Sequence, residues 1–205
     1  MIKGYREHPD DTYTSAIVNG SFANERPMTD DELINMFGLL MIAGLHTVRG
    51  VLGQGVIAIA RDETLRQELL RNPAAISPFI EEMLRLEAPA APGRVATRDV
   101  ELAGAAIQEG DRVVVQLTAA HRDPDEYEEA ASIILERDRN RHMAFAVGPH
   151  RCVGSHLARV ELRVAIEELL RRIPDFRLSA EPRLHHGQVR GVLDIQLAFT
   201  PEASD

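Results

Sequence analysis

Residues Phe145–Gly154 read "FAVGPHRCVG" and hold Cys152, the one cysteine among 205 residues. Two glycines, a proline, a histidine and an arginine surround it. A long helical pattern follows at once, "CVGSHLARVELRVAIEELLRRI". A thiol at a helix N-terminus meets the positive end of the helix dipole, which favours the thiolate, the form that binds metals or attacks electrophiles. His150 and Arg151 add positive charge. Gly148 and Gly154 let the backbone approach something flat or large and leave N–H groups to point at sulfur. Three roles compete. A lone free cysteine is most often a small buried hydrophobe. As a nucleophile it would take His150 as base, but no orienting carboxylate accompanies the pair. As a metal ligand it lacks the second cysteine or histidine pair that zinc wants. Heme needs one strong axial ligand from the protein and is the best match.

Working outward, "SPFIEEMLRLEAP" opens with Ser77 and Pro78, a cap and a first-turn residue, and stops before Pro89. Glu82 and Arg85 lie three apart and share a helix face; by spacing alone such a pair is usually a solvated surface pair. "DETLRQELLRN" is an amphipathic helix ending before Pro73. "DDTYTSAIVNG" is a short helix ending near Gly20. Thr29 with Glu32 forms a capping box for the long segment that follows. The apolar residues of that segment face nearly all round, which predicts a central helix surrounded by protein. Its most apolar stretch, Leu33–Leu45, falls short of the roughly 20 residues of a bilayer span and is expected to be buried. Within it Ala43 and Gly44 leave a gap. Thr47 can bond back to a carbonyl one turn earlier and loosen the helix, although close helix packing accounts for the small residues equally well.

Short alternating runs with Gly-Asp turn signals predict small antiparallel strands over 94–116 and again near the C-terminus. The connection "AAHRDPDEYEEAASIILERDRNRH" has little periodicity. The expected fold is mainly α with a minor antiparallel β sheet, in one domain over 1–205. A net charge of −9 argues against nucleic acid or an anionic membrane as partner. Aromatic residues at 4% leave little for base stacking. A single cysteine suits a reducing compartment, and the N-terminus has no apolar run, so a cytoplasmic location is expected.

These segments, in this order, resemble the cytochrome P450 family of heme-thiolate monooxygenases, specifically its bacterial, soluble, camphor-hydroxylase-like branch. "FAVGPHRCVGSHLAR" is similar to the family's cysteine-ligand loop, "AGLHT" to its oxygen-activating helix motif and "EEMLR" to its Glu-x-x-Arg motif. "HRDP" and "ERDRNRHMAF" fit the segment leading into the cysteine loop. The resemblance implies heme b, with Cys152 as the metal ligand, His150 and Arg94 on the propionates, and Phe145, Gly148 and Gly154 shaping the loop. It implies that Glu82, Arg85 and Arg137 form a buried ion network. Ala43, Gly44, His46 and Thr47 would line the oxygen-activating face, with Thr47 steadying dioxygen and its incoming protons. Ala90, Ala91, Gln188 and Val189 would wall the substrate pocket. The implied activity is insertion of one oxygen atom from O2 into a small hydrophobic organic molecule. Electrons would come from a ferredoxin-type partner docking near Arg151.

The pattern also departs from the family. His46 stands where an acid is usual; histidine can also relay protons, but its shape and charge differ. Ala146 replaces a frequent glycine, which strains the loop if a positive φ is needed. Ile134 replaces a common aspartate. Family members are roughly twice this length, so the chain corresponds to their C-terminal half, and a second chain is a candidate for the missing part. Two rival functions remain open at this point: a heme module for sensing, electron transfer or peroxide chemistry, and a silent relative that has lost heme.

Overall fold

The computed structural model describes residues 1–22, 25–187 and 189–200. Gln188, expected in the substrate pocket, lies outside the described residues. Two compact units divide the chain, Met1–Leu45 and the part from His46 onward.

The first unit begins with helices α1 (Ile2–Glu7) and α2 (Tyr13–Val18). Thr12 caps α2 by accepting the Ser15 N–H at 3.2 Å. Asn19 ties the two helices by donating to the carbonyls of Tyr5 and Ser15. A two-stranded hairpin follows, β1 (Ser21–Phe22) with β2 (Arg26–Pro27); neither α1 nor this hairpin was expected. Helix α3 (Asp30–Arg61) then starts in this unit. Its capping box forms as predicted: Thr29 N–H donates to Glu32 Oε2 at 2.8 Å, and Glu32 N–H donates to Thr29 Oγ1 at 3.3 Å.

The expectation of a uniformly enclosed α3 is half right. Gly50 is buried, and from Val51 to Ala60 the helix alternates buried and partly buried positions. A carbon added to Gly55 would touch the Phe79 ring, and one on Gly53 would meet the Val192 side chain at 2.8 Å. From Asp30 to Arg49 Leu33 is the one buried residue. Ile42 is 71% exposed, and Ile34, Leu39, Met41 and Leu45 are exposed with it. The buried reading of Leu33–Leu45 is therefore corrected. Leu33 is covered and Phe37 and Leu40 are partly so, but most of its apolar side chains are exposed, whereas the later turns meet the rest of their own unit. By length and composition α3 is a helix that could cross a membrane, but its second half is enclosed by protein.

In the second unit Asp62 ends α3 and caps α4 (Glu63–Arg71), accepting the Leu65 N–H at 2.9 Å. A 3-10 turn, Pro73–Ala75, runs straight into α5 (Ile76–Leu86). This shifts the helix start ahead of Ser77, which lies inside α5 rather than capping it. Four short strands follow: β3 (Gly93–Val95), β4 (Val100–Leu102), β5 (Ala105–Ile107) and β6 (Arg112–Val114). β3 pairs with β6, and β4 with β5. The β4–β5 turn places Ala103 at φ +50 and Gly104 at φ +80. Two positive φ values in a two-residue loop match the right-handed twist of the flanking strands.

Helix α6 (Leu117–Ala120) leads into a long irregular connection. The cysteine loop then opens α7 (Ser155–Arg172). The C-terminal strands are β7 (Arg177–Leu178), β8 (Arg183–His185), β9 (Gly191–Asp194) and β10 (Leu197–Ala198), paired β7 with β10 and β8 with β9. The expected minor sheet is thus realised, among the described residues, as separate two-stranded antiparallel pairs. The core joins α3, α4, α5 and α7 through Ile59, Leu69, Phe79, Met83, Leu162 and Ile166, closed by Phe176. Burial of such side chains contributes about 1.5–3 kcal/mol each. It fixes α5 against α7, the two helices that carry the polar groups described next.

Candidate functional site

On α5 the pattern "EEMLR" puts Glu82 and Arg85 one turn apart, and both are essentially sealed from solvent at 1% and 0% exposure. Arg85 grips the carboxylate with two bonds, Nε to Oε1 at 2.9 Å and Nη2 to Oε2 at 2.8 Å. Arg137 adds Nε to Oε1 at 2.9 Å, Asn140 Nδ2 donates to the same oxygen at 2.9 Å, and the Ile134 N–H donates to Oε2 at 3.0 Å. Arg85 also donates to the carbonyls of His121, Ala130 and Ser132. Burial pushes the Glu82 carboxyl up, but the hydrogen bonds from Arg85, Arg137 and Ile134 outweigh it and hold it below the ordinary range. The pair is therefore a buried hub and not the solvated pair that spacing favoured. Ile134 contributes its main-chain N–H, so this contact makes no demand on its side chain, where the family commonly has aspartate.

A second cluster joins α5 to α7. Arg159 binds Glu81 with two bonds, Nε to Oε1 at 2.6 Å and Nη2 to Oε2 at 2.8 Å, and His142 Nε2 reaches Oε2 at 2.9 Å. Burial raises the Glu81 carboxyl, but these partners win and bring it down to about 2. The Arg159 guanidinium lies 4.6 Å above the centre of the Phe145 ring, a cation–π contact at the first residue of the cysteine loop.

The loop itself is tightly turned. The Cys152 N–H donates to the Phe145 carbonyl at 2.9 Å, and the Ala146 N–H to Met143 O at 2.8 Å. Ala146 sits at φ +54 and Gly148 at φ +68. The glycine adopts that conformation freely. The alanine pays strain, as its replacement of a frequent glycine led us to expect. A 3-10 turn covers Gly148–His150, and Gly154 is the N-cap of α7 with no side-chain cap. A carbon placed on Gly154 would lie 3.8 Å from Cys152 Sγ, so the sulfur rests against the first turn of α7. Cys152 is exposed, not buried, which removes its reading as a core hydrophobe. Val147 and Val153 flank it, also exposed, as is His150.

A cavity of about 690 Å³ lies against the paired strands β3 and β6, lined by Ala91, Arg94, Arg112, Val113 and Gln116. Arg94, expected on a propionate, and Ala91, expected on substrate, thus share one cavity. Ala90 pairs with Val189 in an isolated antiparallel bridge, which brings two more expected pocket residues together. Ala43, Gly44, His46 and Thr47 lie on consecutive turns of α3; Ala43, Gly44 and His46 are exposed and Thr47 is partly buried.

These residues fit heme by their chemistry. The thiol is exposed beside Val147 and Val153, Arg94 and Arg112 line a strand-walled cavity, and no three His, Cys, Asp or Glu side chains cluster among the described residues. A macrocycle that brings its own remaining ligands suits such a donor set. Glu81, His121, Asn140, His142 and Arg159 escaped the sequence reading. The signal for His121, Asn140 and His142 was the density of polar residues in "HRDP" and "ERDRNRHMAF", and Glu81 and Arg159 stood in "EEMLR" and "SHLAR"; all were noted for position and not for partners.

The family model for cytochrome P450 matches residues 5–184. The chain is 41% identical over 177 residues to probable cytochrome P450 127A1 of Sinorhizobium fredii, covering 85% of this chain and 42% of that one. It is 35% identical over 205 residues to the steroid C26-monooxygenase of Mycobacterium tuberculosis strain H37Rv, covering 98% of this chain and 51% of the relative. Among solved structures, the bacillaene polyketide synthase cytochrome P450 PksS of Bacillus subtilis superimposes with a TM-score of 0.92 at 30% identity, covering 97% of this chain and 53% of that one. The chain thus spans about half the length of these relatives. With a thiol-bearing loop, a buried Glu-x-x-Arg hub and a family match running through both, the chain belongs to the cytochrome P450 family.

Proposed function

We propose that this chain is the heme-holding part of a monooxygenase that inserts one oxygen atom from O2 into a small hydrophobic molecule. The supporting observation is the exposed Cys152, held by its own N–H on Phe145 O at the first turn of α7. Cys152 would be the thiolate ligand of heme b. Bound heme supplies the oxidative chemistry. The chain's own residues orient and protect. Arg94 and His150 would pair with propionates through charge-assisted bonds. Phe145, Gly148 and Gly154 would shape the loop around sulfur, and the Glu82–Arg85–Arg137 network would brace it from behind. Ala43, Gly44, His46 and Thr47 would handle dioxygen and protons, with Ala90, Ala91 and Val189 against substrate. A ferredoxin-type donor would dock near Arg151, in the cytoplasm. The apolar residues exposed on α3 would be covered by protein equivalent to the rest of the relatives' length, on this or a second chain, within one heme-thiolate domain.

The test is a carbon monoxide difference spectrum of the hemin-loaded, dithionite-reduced chain. A red-shifted Soret band, lost in Cys152→Ala, is the expected result. Absence of heme uptake would overturn the assignment and favour the silent relative. A second reading, a heme module without monooxygenation, draws on the exposed His46 in place of the usual acid. NADH consumption coupled to product in the presence of a ferredoxin and its reductase separates it from the first.

A further inference from the structure

Two histidines hold the two residues that lead into the cysteine loop, Met143 and Ala144. His121 is 1% exposed. Its Nδ1 faces the Arg85 carbonyl at 2.8 Å, and a carbonyl only accepts, so Nδ1 carries the proton. Its Nε2 is then a bare acceptor, and the Met143 N–H donates to it at 2.9 Å. His142 has the opposite arrangement. Its Nδ1 accepts the Ala144 N–H at 3.3 Å, so its Nε2 carries the proton and donates to Glu81 Oε2 at 2.9 Å. The rings meet edge to face with centroids 6.1 Å apart, and His142 lies 6.2 Å from the Phe145 ring. Consecutive main-chain N–H groups, Met143 and Ala144, are thus each taken by an imidazole of fixed and opposite tautomer. The next residue, Phe145, supplies the carbonyl that receives the Cys152 N–H.

We propose that His121 and His142 are positioning residues for the thiolate loop: as neutral rings of opposite tautomer they accept the successive N–H groups of Met143 and Ala144 and so set the height and direction at which the chain enters Phe145–Cys152. Each ring is anchored on α5, His121 through the Arg85 carbonyl and His142 through Glu81. The loop therefore takes its position from the same helix that carries the buried Glu82 hub. Beyond the loop geometry, the consequence for Cys152 rests on its assignment as heme ligand above.

The tautomers make the test specific. Asparagine reaches as far as Nδ1 and glutamine as far as Nε2. In His121→Gln the Met143 N–H keeps an acceptor; in His121→Asn it loses one. For His142 the order reverses, because Ala144 donates to Nδ1. Amide hydrogen exchange on the 205-residue chain reads this directly. Met143 is expected to exchange about five- to tenfold faster in His121→Asn and within about twofold of the unmodified chain in His121→Gln. Ala144 is expected to exchange faster in His142→Gln and not in His142→Asn. In the hemin-loaded chain the share of the red-shifted carbon monoxide band should fall in His121→Asn and His142→Gln alone. Equal loss of protection in both variants of a pair would mean that the rings only fill space, and no change in either would mean that they hold nothing; each result overturns the proposal. Circular dichroism checks folding, and the His142 pair serves if a His121 variant unfolds. If the unmodified chain gives no red-shifted band while the exchange pattern holds, the heme assignment fails and the positioning of the loop stands.

Discussion

Helix α5 and the first half of α3 are both rich in apolar residues, yet they end in opposite environments. In α5 eight of eleven residues are buried, including Glu82 and Arg85. From Asp30 to Arg49 of α3 Leu33 alone is buried. The difference lies in the partners. α5 finds α7, the core and a polar segment some fifty residues downstream, and the Glu82 charge is neutralised by two arginines before its desolvation can unfold the chain. The early turns of α3 show Ile34, Leu39, Met41, Ile42 and Leu45 to solvent. The same composition is a core in one place and an exposed apolar face in the other, and such faces mark interaction surfaces.

The comparison can be broken hardest at Arg85. Arg85→Ala leaves Glu82 buried with less than its full set of partners and removes bonds to three carbonyls. A loss of about 3–5 kcal/mol in denaturant unfolding is expected; a loss below about 1 kcal/mol would show the hub to be hydrated and the contrast false.

Acid should loosen the α5 side as well. The Glu81 carboxyl moves from its ordinary 4.5 to about 2 in the fold. Its stabilisation is present above 4.5 and drains as pH falls toward 2. Burial lowers His121 from 6.5, so the unfolded chain takes up that proton first and stability declines below about pH 6.5. Both act in the same direction. A pH series of denaturation midpoints should fall steadily from neutrality, and Glu81→Gln should flatten its acid end.

Within α3 itself, glycine replacements sharpen the divide. A methyl on Gly50 would sit 2.8 Å from the Arg190 carbonyl, while one on Gly44 would meet nothing within 4 Å. Gly50→Ala is expected to cost about 1–3 kcal/mol, and Gly44→Ala to add about 0.5–1 kcal/mol through helix propensity. Thermal melts of the two variants with the same sign would remove the boundary near Gly50.

Ala146→Gly relieves a positive φ in the cysteine loop and should stabilise by about 1 kcal/mol, read as a rise in melting temperature. The smallest effect belongs to the exposed face. Ile42→Ser should change the stability of this chain by less than about 0.5 kcal/mol, whereas a large loss would mean that the face is covered in solution.

Local signals were legible where the physics is local. The Thr29–Glu32 capping box needs four consecutive residues, and it forms. The positive φ at Ala146 was anticipated as strain because a frequent glycine was missing there. The cysteine loop and "EEMLR" carried the family, and with it the helical class. The spacing of Glu82 and Arg85 established a shared helix face. It could not establish burial, which depends on Arg137, Asn140 and the Ile134 N–H arriving from more than fifty residues away. The histidine pair was out of reach for the same reason. His121 and His142 stand 21 positions apart in a stretch without periodicity, and their tautomers follow from the Arg85 carbonyl and the Glu81 carboxylate on another helix. Sequence by itself determined the Thr29–Glu32 cap, the loop strain and the family. Tertiary structure alone decided which polar groups are buried and which apolar groups are not, because desolvation depends on what the rest of the chain brings to a site, and that is a property of long-range packing.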